Sequence, residues 1–152
     1  MTSISSKSEY IRQYNAALGL AQRAHERQLD KAGMYYIMHL IRVSERCRTR
    51  EAKIAALLHD LLEDTPLGTK DITRQGICNS IADAAAALMH RRSESYMDYI
   101  KRVGSNRIAC EVKIADLEDN MDITRLNGDL TEEDFKRLQK YKKAWDYLMD
   151  LG

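Results

Sequence analysis

The stretch Leu57-Leu58-His59-Asp60-Leu61-Leu62-Glu63-Asp64-Thr65-Pro66 puts an imidazole and three carboxylates into an apolar run. Ile54, Ala55, Leu57, Leu58, Leu61 and Leu62 lie all round a helix drawn through it, which therefore reads as buried. Buried carboxylates are costly unless paired, protonated or bound to a cation, and no Lys or Arg stands among these. On one continuous helix from Arg50 to Glu63, His59 stacks over Glu63 and Asp60 over Asp64 at i,i+4. Thr65-Pro66 then stops the helix. The bland alternative is a helix end with solvated acids. It fits poorly, because negative charge is unfavourable at a helix C-terminus.

A second anomaly lies in Lys113-Ile114-Ala115-Asp116-Leu117-Glu118-Asp119-Asn120-Met121. Asp116 and Asn120 are i,i+4 neighbours close to the inward face that carries Val112. Glu118 and Asp119 are expected to face solvent. His39 falls in the first turn of another helix, and His25 on the apolar face of the first. His25 reads as a core or supporting histidine rather than a ligand.

His39, His59, Asp60 and Asp116 together offer two imidazoles and two carboxylates from three helices. Such a set holds a divalent ion and leaves positions open for water and substrate. The mixture of nitrogen and hard oxygen suits Mn²⁺, Fe²⁺ or Mg²⁺ better than a closed structural zinc site. A bound ion acidifies its water and polarises a phosphoryl oxygen. Glu63 and Asp64, one turn further on, could orient that water and shuttle a proton. Asn120 could hold a substrate oxygen. The implied chemistry is metal-assisted hydrolysis of a phosphate ester or anhydride.

The positioning elements all read as helices. The first runs from about Lys7 to Lys31, with a break marked by Gly33, and the second from about Tyr36 to Cys47. Thr49 caps the third, and Thr69 caps a short one through Thr73. Asn79 or Ser80 begins an Ala-rich helix, and Ser95 begins one to about Val103. A long helix from Asn106 to about Leu126 ends at Asn127-Gly128. Thr131 caps the last, Glu132 to Met149, with an apolar stripe at Phe135, Leu138, Tyr141, Ala144, Trp145 and Leu148. That stripe reads as core packing or as an oligomer face, which leaves a homodimer open. His90-Arg91-Arg92 reads as a solvated helix end rather than a phosphate contact. The expected fold is all-α, a bundle of seven to eight helices forming one domain over 1–152, its core at about 7–150.

The bulk properties agree. The 152 residues suffice for a sizeable core, and 44% apolar with 31% charged residues is an ordinary globular balance. A net charge of +1 gives no general pull towards nucleic acid or membrane. Cys47, Cys78 and Cys110 form no metal-thiolate or disulfide pattern, which points to a reducing cytoplasm. The polar start, Met1 to Ser8, lacks a signal core.

Taken in order, the motifs resemble those of HD-domain metal-dependent phosphohydrolases, and more narrowly the hydrolase domain of Rel/Spo-type stringent-response enzymes and the small alarmone hydrolases. The resemblance runs from about Ala24 to Trp145. It rests on Ala24-His25-Glu26-Arg27-Gln28, Lys31-Ala32-Gly33, Tyr36-Ile37-Met38-His39, Leu57-Leu58-His59-Asp60-Leu61-Leu62-Glu63-Asp64-Thr65, Asp71-Ile72 and Lys113-Ile114-Ala115-Asp116 with Asn120-Met121. It implies a Mn²⁺ site at His39, His59, Asp60 and Asp116, with Glu63 and Asp64 serving the attacking water. It also implies Lys31 and Asn120 as nucleotide contacts, and removal of the 3′-pyrophosphate from ppGpp. Some relatives take the 2′-phosphate of NADPH. The same site on another nucleotide (a monophosphate or a cyclic nucleotide) and a non-catalytic nucleotide-sensing module are the alternatives. The chain departs from the family at Asp30, where an Arg that packs on the base is usual, and at Leu40, where Pro is usual. It departs again over Asp116-Leu117-Glu118-Asp119-Asn120, where Asp-Arg-Leu-His-Asn is usual.

Overall fold

The structure is a computed structural model describing residues 3–152. Its regular structure is helical: α1 Lys7–Ala24, α2 Ile37–Arg46, α3 Arg50–Leu57, α4 Leu61–Asp64, α5 Thr69–Thr73, α6 Asn79–Ala87, α7 Tyr96–Gly104, α8 Arg107–Asn120 and α9 Glu132–Leu151. A 3-10 turn, Ile123–Arg125, precedes α9. No strand occurs among the described residues, so the fold is the expected all-α bundle.

Side-chain caps start most of the longer helices. Ser6, Thr49, Ser95, Asn106 and Thr131 each accept a hydrogen bond from the backbone N–H three residues on. Thr131 and Asp134 form a reciprocal capping box. Gly68, not Thr69, is the cap residue of α5, and Asp71 Oδ2 accepts from its N–H at 2.8 Å.

α3 is the axis of the bundle and packs against α1, α2, α6 and α8. Ile54, Ala55, Ala56, Leu57, Leu58 and Leu61 are fully buried, as the apolar residues on every side of this segment require. Burial of each leucine there stabilises the fold by about 1.5–3 kcal/mol.

Three expected helices end early, and each has a local cause. α1 stops at Ala24 rather than near Lys31, because turn chemistry takes over the chain. Asp30 Oδ1 accepts from Ala32 N (2.9 Å) and Met34 N (3.0 Å), Gly33 has φ +84°, and Leu29 pairs with Tyr35 in one antiparallel bridge. The segment 50–64 is broken at residues 58–60, where the backbone bonds tighten: Leu58 N donates to Ala55 O, His59 N to Ala56 O and Leu61 N to Leu58 O. α8 ends at Asn120, and Asp122 then caps the 3-10 turn through Thr124 N at 3.1 Å. In the α9 stripe Ala144 and Leu148 are core, while Phe135 is 56% exposed.

Candidate metal centre

His39 sits on the first turn of α2, Asp116 on the inner face of α8, and His59 and Asp60 on the break between α3 and α4. In a regular helix consecutive side chains diverge by about 100°. The break instead lets His59 and Asp60 approach one another, with His59 Nε2 3.1 Å from Asp60 Oδ2. Donor atoms of His39, His59 and Asp60 all lie within 4.8 Å of one another. Asp116 Oδ1 completes the set, 3.0 Å from His39 Nε2 and 3.2 Å from His59 Nε2.

The remaining ring nitrogens decide what this cluster wants. His59 Nδ1 faces Ala56 O at 2.7 Å, and a carbonyl only accepts, so Nδ1 carries the proton. His39 Nδ1 faces Asp119 Oδ2 at 2.7 Å and is protonated for the same reason. Neutral imidazoles therefore turn both Nε2 lone pairs towards carboxylate oxygens. Either each ring takes a second proton, or a cation enters between them; the donor chemistry fits a divalent ion. Without one, burial works against the charged rings. The charges of Asp60 and Asp116 overcome it at His59, and hydrogen bonds to Asp116 and Asp119 overcome it at His39, raising both above their ordinary values. Burial likewise opposes ionisation of Asp60, yet the His59 charge and the Tyr36 hydroxyl, which donates to Asp60 Oδ2, hold it at about 2.

Around the cluster, Lys113 Nζ donates to Asp116 Oδ2 and Asn120 Nδ2 to Asp116 Oδ1, each at 2.9 Å. Asp119, expected to face solvent, is fully buried. It accepts from Arg42 Nε at 2.9 Å and from Arg125 Nη2 at 3.3 Å as well as from His39. Burial would raise its pKa, but His39 and Arg42 bring it down to about 2. The signal for Asp119 was present: it stands at i+3 from Asp116, on the same helix face.

A cleft of about 360 Å³ opens over this group, lined by Lys31, Tyr36, His39, Asp60, Lys113, Asp116, Asn120, Arg125, Arg137 and Tyr141, among others. His39, His59, Asp60, Asp116 and Asn120 are thus brought together, and Lys31 lies along the cleft wall. Glu63 and Asp64 are exposed on α4, outside that lining. Glu63 Oε1 accepts from His90 N at 2.6 Å. Asp64 Oδ2 accepts from Gln28 Nε2 at 3.1 Å, and Gln28 Oε1 in turn accepts from His25 Nδ1 at 2.7 Å. His25 is buried 4.0 Å from Asp64 and supports it from behind; it is not part of the metal group. Arg125 and Arg137 are cleft residues that the sequence motifs did not single out.

No protein-family model matches the sequence, and no curated protein matches it. Among solved structures it resembles that of a metazoan ortholog of SpoT, a protein that hydrolyzes ppGpp and plays a role in starvation responses. The TM-score is 0.67, with 98% of this chain and 97% of that chain covered, at 20% identity. The two chains share a fold. The bundle expected from the HD-type motifs is the bundle of that SpoT ortholog, end to end. No helix among the described residues is long and apolar enough to cross a membrane.

Proposed function

We propose that the chain is a divalent-metal-dependent phosphohydrolase of a phosphorylated nucleotide, of the guanosine 3′,5′-bis(diphosphate) 3′-pyrophosphohydrolase type. One observation carries the reading: the Nε2 atoms of His39 and His59 both face Asp116 Oδ1 while their Nδ1 protons are committed elsewhere. The shared fold with a ppGpp-hydrolyzing SpoT ortholog supports the substrate class. His39, His59, Asp60 and Asp116 would hold the ion, with Mn²⁺ preferred and Fe²⁺ or Mg²⁺ as substitutes. When bound, it supplies a more acidic water and charge to offset the phosphoryl oxygens.

The protein's own groups do the rest. Asp64, held by the Gln28 amide, and Glu63 orient the attacking water and take its proton. Asn120 and Lys31 bind nucleotide oxygens, and Tyr36 fixes Asp60 through its hydroxyl. A second reading keeps the site but changes the nucleotide, for example to NADPH. It is favoured by Asp30, an acid engaged with its own loop at a position where the resembled enzymes carry a base-packing Arg.

The test is phosphate and pyrophosphate release from ppGpp, NADPH and a nucleotide panel by metal-stripped protein with and without Mn²⁺, alongside Asp64→Asn. Mn²⁺-dependent pyrophosphate release from ppGpp, lost in Asp64→Asn while Mn²⁺ binding persists, is the expected result. Release only from another nucleotide would replace the substrate. No turnover with any metal would move the chain to the nucleotide-sensing class.

A further inference from the structure

The cleft lining carries the cations Lys31, Lys113, Arg125 and Arg137, and they are not equally committed. Lys113 is bound to Asp116, and Arg137 Nη2 lies 2.6 Å from Asp134. Arg125 reaches the cleft from the 3-10 turn and spans two acids. Its Nη2 donates to Asp119 O (3.1 Å) and Oδ2 (3.3 Å), and its Nη1 reaches Asp30 Oδ2 at 3.4 Å.

These contacts are lopsided. Asp119 already has Arg42, at 2.9 Å and 3.2 Å, and the His39 ring, so it stays compensated if Arg125 departs. Asp30 cannot follow a moving partner, because its Oδ1 is pinned by two backbone N–H groups of its own loop. Arg125 Nε is buried and has no acceptor, a cost that a better partner would remove. Arg125 is therefore a guanidinium on the cleft wall with long contacts to its acids and a buried N–H left without an acceptor, and guanidinium suits phosphate oxygens.

Resting on the phosphohydrolase reading above, we propose that Arg125 is a specificity-determining residue. It exchanges Asp30 for an anionic group of the substrate remote from the phosphate at the metal group, and so selects nucleotides phosphorylated at two positions. Asp30 is the internal competitor that such a ligand must displace.

The test is calorimetric binding of guanosine 5′-monophosphate and guanosine 3′,5′-bisphosphate to the Mn²⁺-loaded protein. Wild type prefers the bisphosphate, and Arg125→Gln lowers the bisphosphate-to-monophosphate affinity ratio by about tenfold, the loss of one charge-assisted contact. Asp30→Asn keeps the oxygen that its loop requires but drops the charge, and it raises bisphosphate affinity. This second variant decides the matter if Arg125→Gln folds poorly. An unchanged ratio in Arg125→Gln, weaker bisphosphate binding in Asp30→Asn, or no binding of either probe by wild type overturns the proposal. The two readings fail separately. If wild type hydrolyses ppGpp but the ratio ignores Arg125, only the Arg125 assignment falls; if nothing is hydrolysed yet the ratio responds, only the hydrolase falls.

Discussion

His39 Nδ1 lies 2.7 Å from Asp119 Oδ2, so a buried carboxylate on α8 fixes both the tautomer and the orientation of an imidazole on α2. The contact joins the two helices directly behind the cluster that would receive the metal. It also recruits Arg42, which neutralises the carboxylate without touching the cleft.

Asp119→Asn tests that support. The amide can still accept from His39, but it no longer draws the ring's proton with a full charge. Mn²⁺ affinity is expected to drop by about 10- to 100-fold, the usual effect of losing a ligand's outer partner. Titration calorimetry measures it, and an unchanged dissociation constant would show that His39 is oriented by packing alone.

The pH response of the metal-free protein follows from the cluster. His39 and His59 are raised above 6.5 in the fold, so their stabilising charge is fully present below about 6.5 and is lost as pH climbs through the higher folded values. Asp60 and Asp119 fall from 3.8 to about 2, so their contribution is present above 3.8 and disappears as pH drops towards 2. In chelator, Tm should peak between these limits and decline on the alkaline side. Mn²⁺ competes with the ring protons and should raise Tm more at pH 8 than at pH 6. A Tm in chelator that stays flat above pH 6.5 would mean the rings are neutral there.

Gln28 separates support for Asp64 from support for His25. Gln28→Glu keeps an oxygen for His25 Nδ1 but removes the N–H donated to Asp64. Turnover should fall about tenfold, with Mn²⁺ affinity retained. Gln28→Leu also strands the buried His25 nitrogen and should cost a further ~1–3 kcal/mol of stability in urea unfolding. Equal turnover in wild type and Gln28→Glu would detach Asp64 from its proposed task.

Leu61, fully buried directly after Asp60, anchors the broken segment. Leu61→Ala should destabilise the protein by about 2–5 kcal/mol through lost burial and a cavity. Urea denaturation reads this, and a loss below 1 kcal/mol would mean that α4 is not part of the cooperative core.

The sequence made much of this legible because local chemistry and burial agreed. Thr49, Ser95 and Thr131 announced their helices by side-chain caps, and the apolar run around Leu57 announced the bundle axis. The pairing of His39 with His59 and Asp116 was readable as a shortage of countercharge. The break at residues 58–60 was not, since no Gly or Pro marks it. It coincides with the His59 ring turning onto the Ala56 carbonyl three residues back, a local side-chain bond that helical periodicity does not register. Asp119 was misread because its partners His39 and Arg42 are 80 and 77 residues away, and its i+3 relation to Asp116 alone did not outweigh the solvent reading. Arg125 stayed hidden for a similar reason, since Asp30 is 95 residues distant.

That remoteness has a consequence for the life of the chain. His39 and Asp116 meet across 77 residues, and His59 and Asp116 across 57. A polypeptide emerging during synthesis presents both imidazoles long before the carboxylate from α8 arrives. Chains that lack α8 thus carry an incomplete cluster, and the four side chains come together only once α8 has docked. A divalent ion held by the cluster would then stabilise the docked bundle and leave chains without α8 unaided.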